Sequence, residues 1–180
     1  MRNKLIKGLI VLLIIGTGYF LAERAGMFLP GWIEWNTKII EEDLDGDGIV
    51  ETVELGHKRI KIYKEQSLLF ESEDWKVSDV LTGDVDHDGE TDLIFIIWNR
   101  SNFGRSHPFF EENDTGSWYQ HLYVYNLRDN ELHAKWMSSG LRPNIARLEI
   151  SNEGELYLTD PENTVSVWAW IDWGFEKISQ

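Results

Sequence analysis

The segment DLDGDGIVET (residues 43–52) is answered 41 positions later by DVDHDGETDL (residues 84–93). Each sets acidic residues at every second position and a glycine sixth, then runs into apolar residues. An acidic loop that recurs in this way demands a repeated unit with the loop at the same place in each copy. The segments around the loops have strand character: RIKIYKE (59–65), DLIFIIW (92–98), QHLYVYNL (120–127), RLEIS (147–151), ELYLTD (155–160) and TVSVWAW (164–170). They are rich in β-branched and aromatic residues, and several alternate apolar with polar, the period that half-buries a strand. The clusters GHK, RDN, SNEG and DPEN punctuate them as turns. No segment beyond residue 33 carries an apolar stripe at helical spacing, so the expected class is all-β.

The repeat has countable units. Asp43 precedes Tyr63 by 20 residues, and Asp84 precedes Tyr125 by 41. The surplus of 21 falls within residues 99–119, NRSNFGRSHPFFEENDTGSWY, which reads as an insertion in one copy. A third copy ends in VWAWIDWGFEKIS, and counting back nineteen from Trp168 reaches Glu149, Ser151 and Glu153, a loop with most of its acids gone. Three units of about 40 residues, each some four short strands, have the arithmetic of propeller blades. Three such units make a partial or open β-propeller with uncovered strand edges.

The loops themselves have the chemistry of a cation cage. Acids at positions 1, 3, 5 and 9 and a main-chain carbonyl at 7 can wrap one hard ion in oxygen, with glycine at 6 bending the chain. In the first loop these are Asp43, Asp45, Asp47, the carbonyl of Ile49, and Glu51; in the second, Asp84, Asp86, Asp88, the carbonyl of Glu90, and Asp92. Zinc wants His or Cys and magnesium keeps more water, so calcium is the expected ion, with two structural sites. Glu54, twelfth from Asp43, also completes an EF-hand pattern. Against that reading, the twelfth residue of the second loop is Phe95, and both loops lead into strands rather than helices. For the third loop a plain acidic turn fits better.

DLDGDGIVE and GDVDHDGETDLI resemble the calcium loops of the FG-GAP (integrin α-propeller) and VCBS repeat families. The resemblance spans residues 35–179 and is closest at the second loop, where Gly83 precedes and DLI follows. It implies that each loop joins two strands of a blade. Propellers of these families usually close with more blades, so this array would be completed by oligomerisation, by a partner's strands, or by another compact arrangement.

The N-terminus differs in kind. MRNKLIKGLIVLLIIGTGYFLAERAG begins with Arg2, Lys4 and Lys7 and then runs uncharged from residue 8 to 22. That run covers roughly 22 Å as a helix, and Leu5, Ile6 and a snorkelling Lys7 extend it towards a bilayer core of about 30 Å. No small-x-small cleavage site follows, since a cut after Ala25 puts Glu23 at −3 and one after Ala22 puts Phe20 there. Residues 1–30 are therefore expected to be an uncleaved membrane anchor, with a cleaved signal peptide as the alternative. The basic start places residues 31–180 outside the cytoplasm.

A formal charge of −14 disfavours nucleic-acid partners. The absence of cysteine removes disulfides and thiolate chemistry. There is no G-x-S-x-G, H-E-x-x-H or P-loop, and acids committed to an ion are not free for proton transfer, so a non-catalytic protein is expected. The insertion carries Phe103, Phe109, Phe110, Trp118 and Tyr119 among Gly, Pro and charges. These form a candidate surface for a ligand or partner, protein or cell-wall glycan, or else cap an open edge. Trp168, Trp170 and Trp173 are expected in the core. Two functions compete: a membrane-anchored, calcium-stabilised binding or adhesion module, and an accessory subunit of a cell-envelope enzyme or polymer-assembly complex.

Overall fold

The uncharged N-terminal run forms the middle of one helix, α1 (Arg2–Arg24), apolar on all sides rather than along one stripe. In the computed structural model, residues 2–72, 76–102 and 117–179 are described. The helix ends where Gly26 takes φ of 70°, and the N–H of Met27 reaches back to the Ala22 carbonyl at 3.0 Å. Glycine enters that left-handed conformation without penalty and so stops the helix. The stretch Ile6–Arg24 has a mean hydropathy of 1.7 and no buried part, long and apolar enough to cross a membrane or to be a signal sequence. It belongs to one unit, Met1–Gly31, and all strands belong to a second, Trp32–Gln180.

The second unit contains three four-stranded antiparallel sheets. The first is β1 (Lys38–Glu42), β2 (Glu51–Gly56), β3 (Arg59–Lys64) and β4 (Ser67–Glu71). The second is β5 (Lys76–Gly83), β6 (Asp92–Asn99), β7 (Tyr119–Arg128) and β8 (Glu131–Met137). The third is β9 (Arg147–Ile150), β10 (Leu156–Thr159), β11 (Val165–Ile171) and β12 (Gly174–Ser179). In each, strands pair in the order of the chain, as hairpin after hairpin. The turn residues explain two of the tightest hairpins. His57-Lys58 and Asp129-Asn130 all have positive φ, the twist that matches a two-residue turn to right-twisted strands.

The middle sheet is apolar on both faces, which is why DLIFIIW reads as an unbroken run. Leu93, Phe95 and Ile97 of β6, with Tyr123 and Leu127 of β7, pack against Val53, Leu55, Ile60 and Ile62 of the first sheet. The residues between them, Ile94, Ile96, Leu122 and Val124, face Leu148, Leu156, Leu158 and Phe175 of the third. Successive side chains point to opposite faces, so a strand with neighbours on both sides loses its polar positions. Each side chain buried in this way contributes about 1.5–3 kcal/mol.

The insertion joins β6 to β7, and Tyr119 is the first residue of β7. Phe103, Phe109 and Phe110 lie outside the described residues. Two expectations need correcting. Glu149 sits inside β9, so the third loop is residues 151–155, three shorter than the other two, and it begins at Ser151. Trp173 is 80% exposed at the tip of the β11–β12 hairpin, while Trp168 and Trp170 do pack against the core between the second and third sheets.

Candidate metal centres

Both acidic loops occupy the same place, the link between the first and second strands of a sheet: residues 43–50 between β1 and β2, and 84–91 between β5 and β6. The loop folds on its own carboxylates. Asp43 Oδ2 accepts the Gly48 N–H at 2.9 Å, and Asp84 Oδ2 accepts that of Gly89 at 3.0 Å. Asp47 Oδ1 accepts from Ile49 and Asp88 Oδ1 from Glu90, each at 2.9 Å. The last acid ties the start of the second strand to the loop: Glu51 Oε2 accepts the Leu44 N–H at 2.8 Å, and Asp92 Oδ2 that of Val85 at 3.2 Å. Gly48 and Gly89 have φ of 88° and 86°, which a side chain would resist.

With one oxygen of each acid spent on the main chain, others converge. Ligand atoms of Asp43, Asp45 and Glu51 lie within 4.8 Å of one another, as do those of Asp84, Asp86 and Asp92. Glu51 and Asp92 are fully buried. Asp43 Oδ1 is buried with no partner among the described residues, and the buried Glu51 Oε1 and Asp92 Oδ1 each meet only a lysine ammonium. Such a donor set fits a hard divalent cation, and the two triads can hold metal ions. Asp47 and Asp88 stand at the solvent side. Glu90 turns its side chain away to Arg128 Nη2 (2.6 Å) and Asn126 Nδ2 (3.0 Å), leaving its carbonyl as the only group it can offer the loop. His87 is exposed, and so is Glu54, which points away from the triad on β2.

Sequence reasoning missed a lysine in each centre. Lys64 Nζ, at the end of β3, lies 2.7 Å from Asp45 Oδ2, 2.8 Å from Asp47 Oδ2 and 2.8 Å from Glu51 Oε1. Lys135 Nζ, on β8, lies 2.6 Å from Asp86 Oδ2, 3.0 Å from Asp88 Oδ2 and 2.9 Å from Asp92 Oδ1. The ammonium groups are held charged: hydrogen bonds to Asp45, Asp47 and Glu51 raise the pKa of Lys64. Burial works against Lys135, but its contacts to Asp86, Asp92 and Asp88 outweigh it and raise its pKa too. On the acid side, burial pushes Asp92 up to about 6 in spite of Lys135. Asp47 is lowered, chiefly by its hydrogen bond to Lys64. Asp88 is lowered as well, where hydrogen bonds from the Glu90 N–H and Lys135 overcome burial.

Lys64 had a readable signal. The two-residue turn at His57-Lys58 fixes the β2–β3 register, which sets Lys64 directly opposite Glu51. Lys135 had none, because it is the extra residue of a bulge: Val124 pairs with Trp136 and Tyr125 with Ala134, leaving Lys135 unpaired and re-aimed.

The third loop lacks this chemistry. Ser151 Oγ accepts from the N–H groups of Glu153 and Glu155, both at 3.2 Å, and Leu156 occupies the place of Glu51 and Asp92. Of the candidate aromatic surface, Trp118 and Tyr119 border a cavity of about 460 Å³ with Trp98 and Arg142. Compared with models of known families, with curated proteins and with solved structures, the chain has no match.

Proposed function

We propose that this chain is a membrane-attached protein whose β unit works outside the cytoplasm as a binding or adhesion module, with propeller-blade-like sheets of FG-GAP or VCBS type clipped by two calcium ions. One observation carries the metal part. At equivalent places in two successive sheets, buried carboxylate oxygens of Asp43, Glu51 and Asp92 turn inward, the first with no partner among the described residues and the other two with a lysine ammonium alone, among more acids than one lysine neutralises. A buried charge left uncompensated costs several kcal/mol, which a divalent ion at the centre removes. An irregular all-oxygen cage suits calcium better than magnesium's strict octahedron. Sites of this kind outside the cell bind with Kd on the order of 10⁻⁴–10⁻³ M, and a lysine beside the ion fits that weak range.

The blade reading draws on three regularities: identical strand order, a bulge in every fourth strand, and the approach of β5 to β9 and of β4 to β8, like strands of neighbouring units. The membrane reading draws on α1 and the basic residues at its start. The test is a thermal melt of the full-length protein in detergent micelles, with calcium and then with excess EDTA. Binding to the folded state alone raises the melting temperature. A melt that is the same with calcium and with EDTA overturns the calcium reading.

The second reading, an accessory subunit that docks through its strand edges, has its own support. Ile39 on β1, Leu68 on β4 and Ile178 on β12 are exposed apolar residues on edge strands. Edges of that kind pair readily with another chain. Sedimentation of the purified protein separates the two readings: a monomer that remains soluble argues against docking.

A further inference from the structure

Residues 138–146 cross from β8 to β9, and two buried side chains of β7 hold the crossing in place. Gln120, 1% exposed, donates from Nε2 to the Ile145 carbonyl at 2.7 Å and accepts the Ile145 N–H on Oε1. His121, fully buried, sets Nδ1 at 3.0 Å from the Ser138 carbonyl and Nε2 at 2.8 Å from that of Ser101. The Leu141 N–H donates to the Gln120 carbonyl at 2.8 Å. Satisfied buried polar groups of this sort rigidify what they touch. Residues 141–144 thus stand as a fixed ridge, with a cavity of about 290 Å³ on one side and about 460 Å³ on the other.

We propose that this ridge is a binding site for an acidic saccharide, a sugar ring carrying a carboxylate. The cations come first. Arg142 and Lys177 both line the smaller cavity, and neither has a carboxylate partner among the described residues. In a chain of net charge −14, two unpaired cations at one cavity select for an anion. The Arg142 guanidinium lies 5.9 Å from the Tyr119 ring centroid, which orients it without neutralising it.

The other groups narrow the class. Asp160 and Ser166 also line the smaller cavity, and Asp160 accepts only N–H groups of its own turn, Glu162 and Thr164, on Oδ1. A ligand there must offer hydroxyl donors to Asp160 as well as a negative group to Arg142 and Lys177. A hydroxylated sugar acid offers both, whereas inorganic phosphate would set its charge against the Asp160 carboxylate. On the larger side, Trp98, 2% exposed, and Trp118 both have buried indole N–H groups with no acceptor among the described residues. A buried donor without a partner is unfavourable, and ring hydroxyls can supply the acceptors. Aromatic faces beside a few fixed polar groups are the usual composition of a small-ligand site.

The site is separate from the acidic loops, so it stands or falls apart from calcium. The full-length protein in detergent micelles would be titrated with glucuronate, its methyl ester, glucose and inorganic phosphate, read by saturation-transfer NMR and calorimetry. Glucuronate is expected to bind, and the ester and glucose to bind about tenfold more weakly or worse, because they lack the charge-assisted hydrogen bonds. Arg142→Gln and Lys177→Gln should each weaken glucuronate about tenfold while leaving the melting temperature in place, since both side chains are exposed. Absence of saturation transfer from glucuronate, unchanged affinity in both variants, or equal displacement by phosphate would overturn the assignment.

Discussion

Replacing Lys135 by methionine should move calcium affinity and ion-free stability in opposite directions. The Lys135 ammonium is 2.6 Å from Asp86 and 2.9 Å from Asp92, and the side chain is only 13% exposed. An ion held by Asp84, Asp86 and Asp92 would share two carboxylates with that ammonium, which sets the two charges on the order of 4 Å apart. Charges of +2 and +1 at that separation repel by about 8 kcal/mol at an effective dielectric of about 20. The lysine relieves most of this by swinging outward, where water at about 8 Å leaves a residue of about 1 kcal/mol. A net opposition of about 1–3 kcal/mol is therefore reasonable, and Lys135→Met should tighten calcium at the second loop by about 5- to 150-fold.

Without calcium the same change strips Asp92 and Asp86 of their counter-charge. Breaking a buried pair costs about 3–5 kcal/mol. Asp92, already pushed up to about 6, escapes part of that by taking a proton. A loss of about 2–3 kcal/mol corresponds to a fall of about 4–12 °C in melting temperature for a unit of this size. Calorimetric calcium titration and paired melts in EDTA and in calcium measure both effects. If Lys135→Met binds calcium no more tightly than the parent, ammonium and ion do not compete for one place, and the reasoning fails.

Three further outcomes are expected. Because burial raises Asp92 from an ordinary 3.8 to about 6, the stability it contributes to the ion-free protein is complete below about 4 and lost as pH rises through about 6. Asp92→Asn should remove that slope, and in the parent calcium should bind less tightly at pH 5 than at pH 7.5, since the ion needs the ionised form; parallel melting profiles against pH for parent and variant would refute this. At Gly154, φ is 72° and an added Cβ would lie 2.8 Å from the Asp84 carbonyl oxygen, so Gly154→Ala should cost about 1–3 kcal/mol by denaturant melts and loosen the second calcium site more than the first. Glu51→Gln should abolish binding at the first loop, whereas Glu54→Ala should leave calorimetric affinity there unchanged; a loss in Glu54→Ala would restore the EF-hand reading.

Much of the β unit was legible because its strands obey local rules. DLIFIIW and QHLYVYNL are long, apolar and bounded by turn residues, and both form strands. KIIEE, SLLFE and GFEKIS are short and half polar, and they form strands at sheet edges, where one neighbour's hydrogen bonds decide what periodicity cannot. The acidic loops were legible because their chemistry is local, every capping oxygen lying within a few residues of its donor. The third loop was misplaced by two residues because a shorter link breaks the count. Trp173 was expected inside, but a hairpin tip has no layer above it to cover a ring. The saccharide ridge left no signal, since it depends on Gln120 reaching Ile145 across 25 residues.

The three sheets also act as internal controls on what the lysines are for. In the first sheet the residue opposite the last acid is Lys64; in the second the same position is Asn126, and the lysine comes instead from the bulge of β8. In the first sheet that bulge holds Leu69, so the two sheets reach one arrangement from different strands. Chance placement of a surface lysine does not explain this. The third sheet has neither: Leu156 replaces the acid, Trp168 stands opposite it, and Ile178 occupies the bulge. Where the acids are lost the cation is lost with them, and the two places it could have come from turn apolar. The lysine therefore belongs to the acid set as its built-in counter-charge, holding the loop folded without an ion, and an ion bound there would have to displace it.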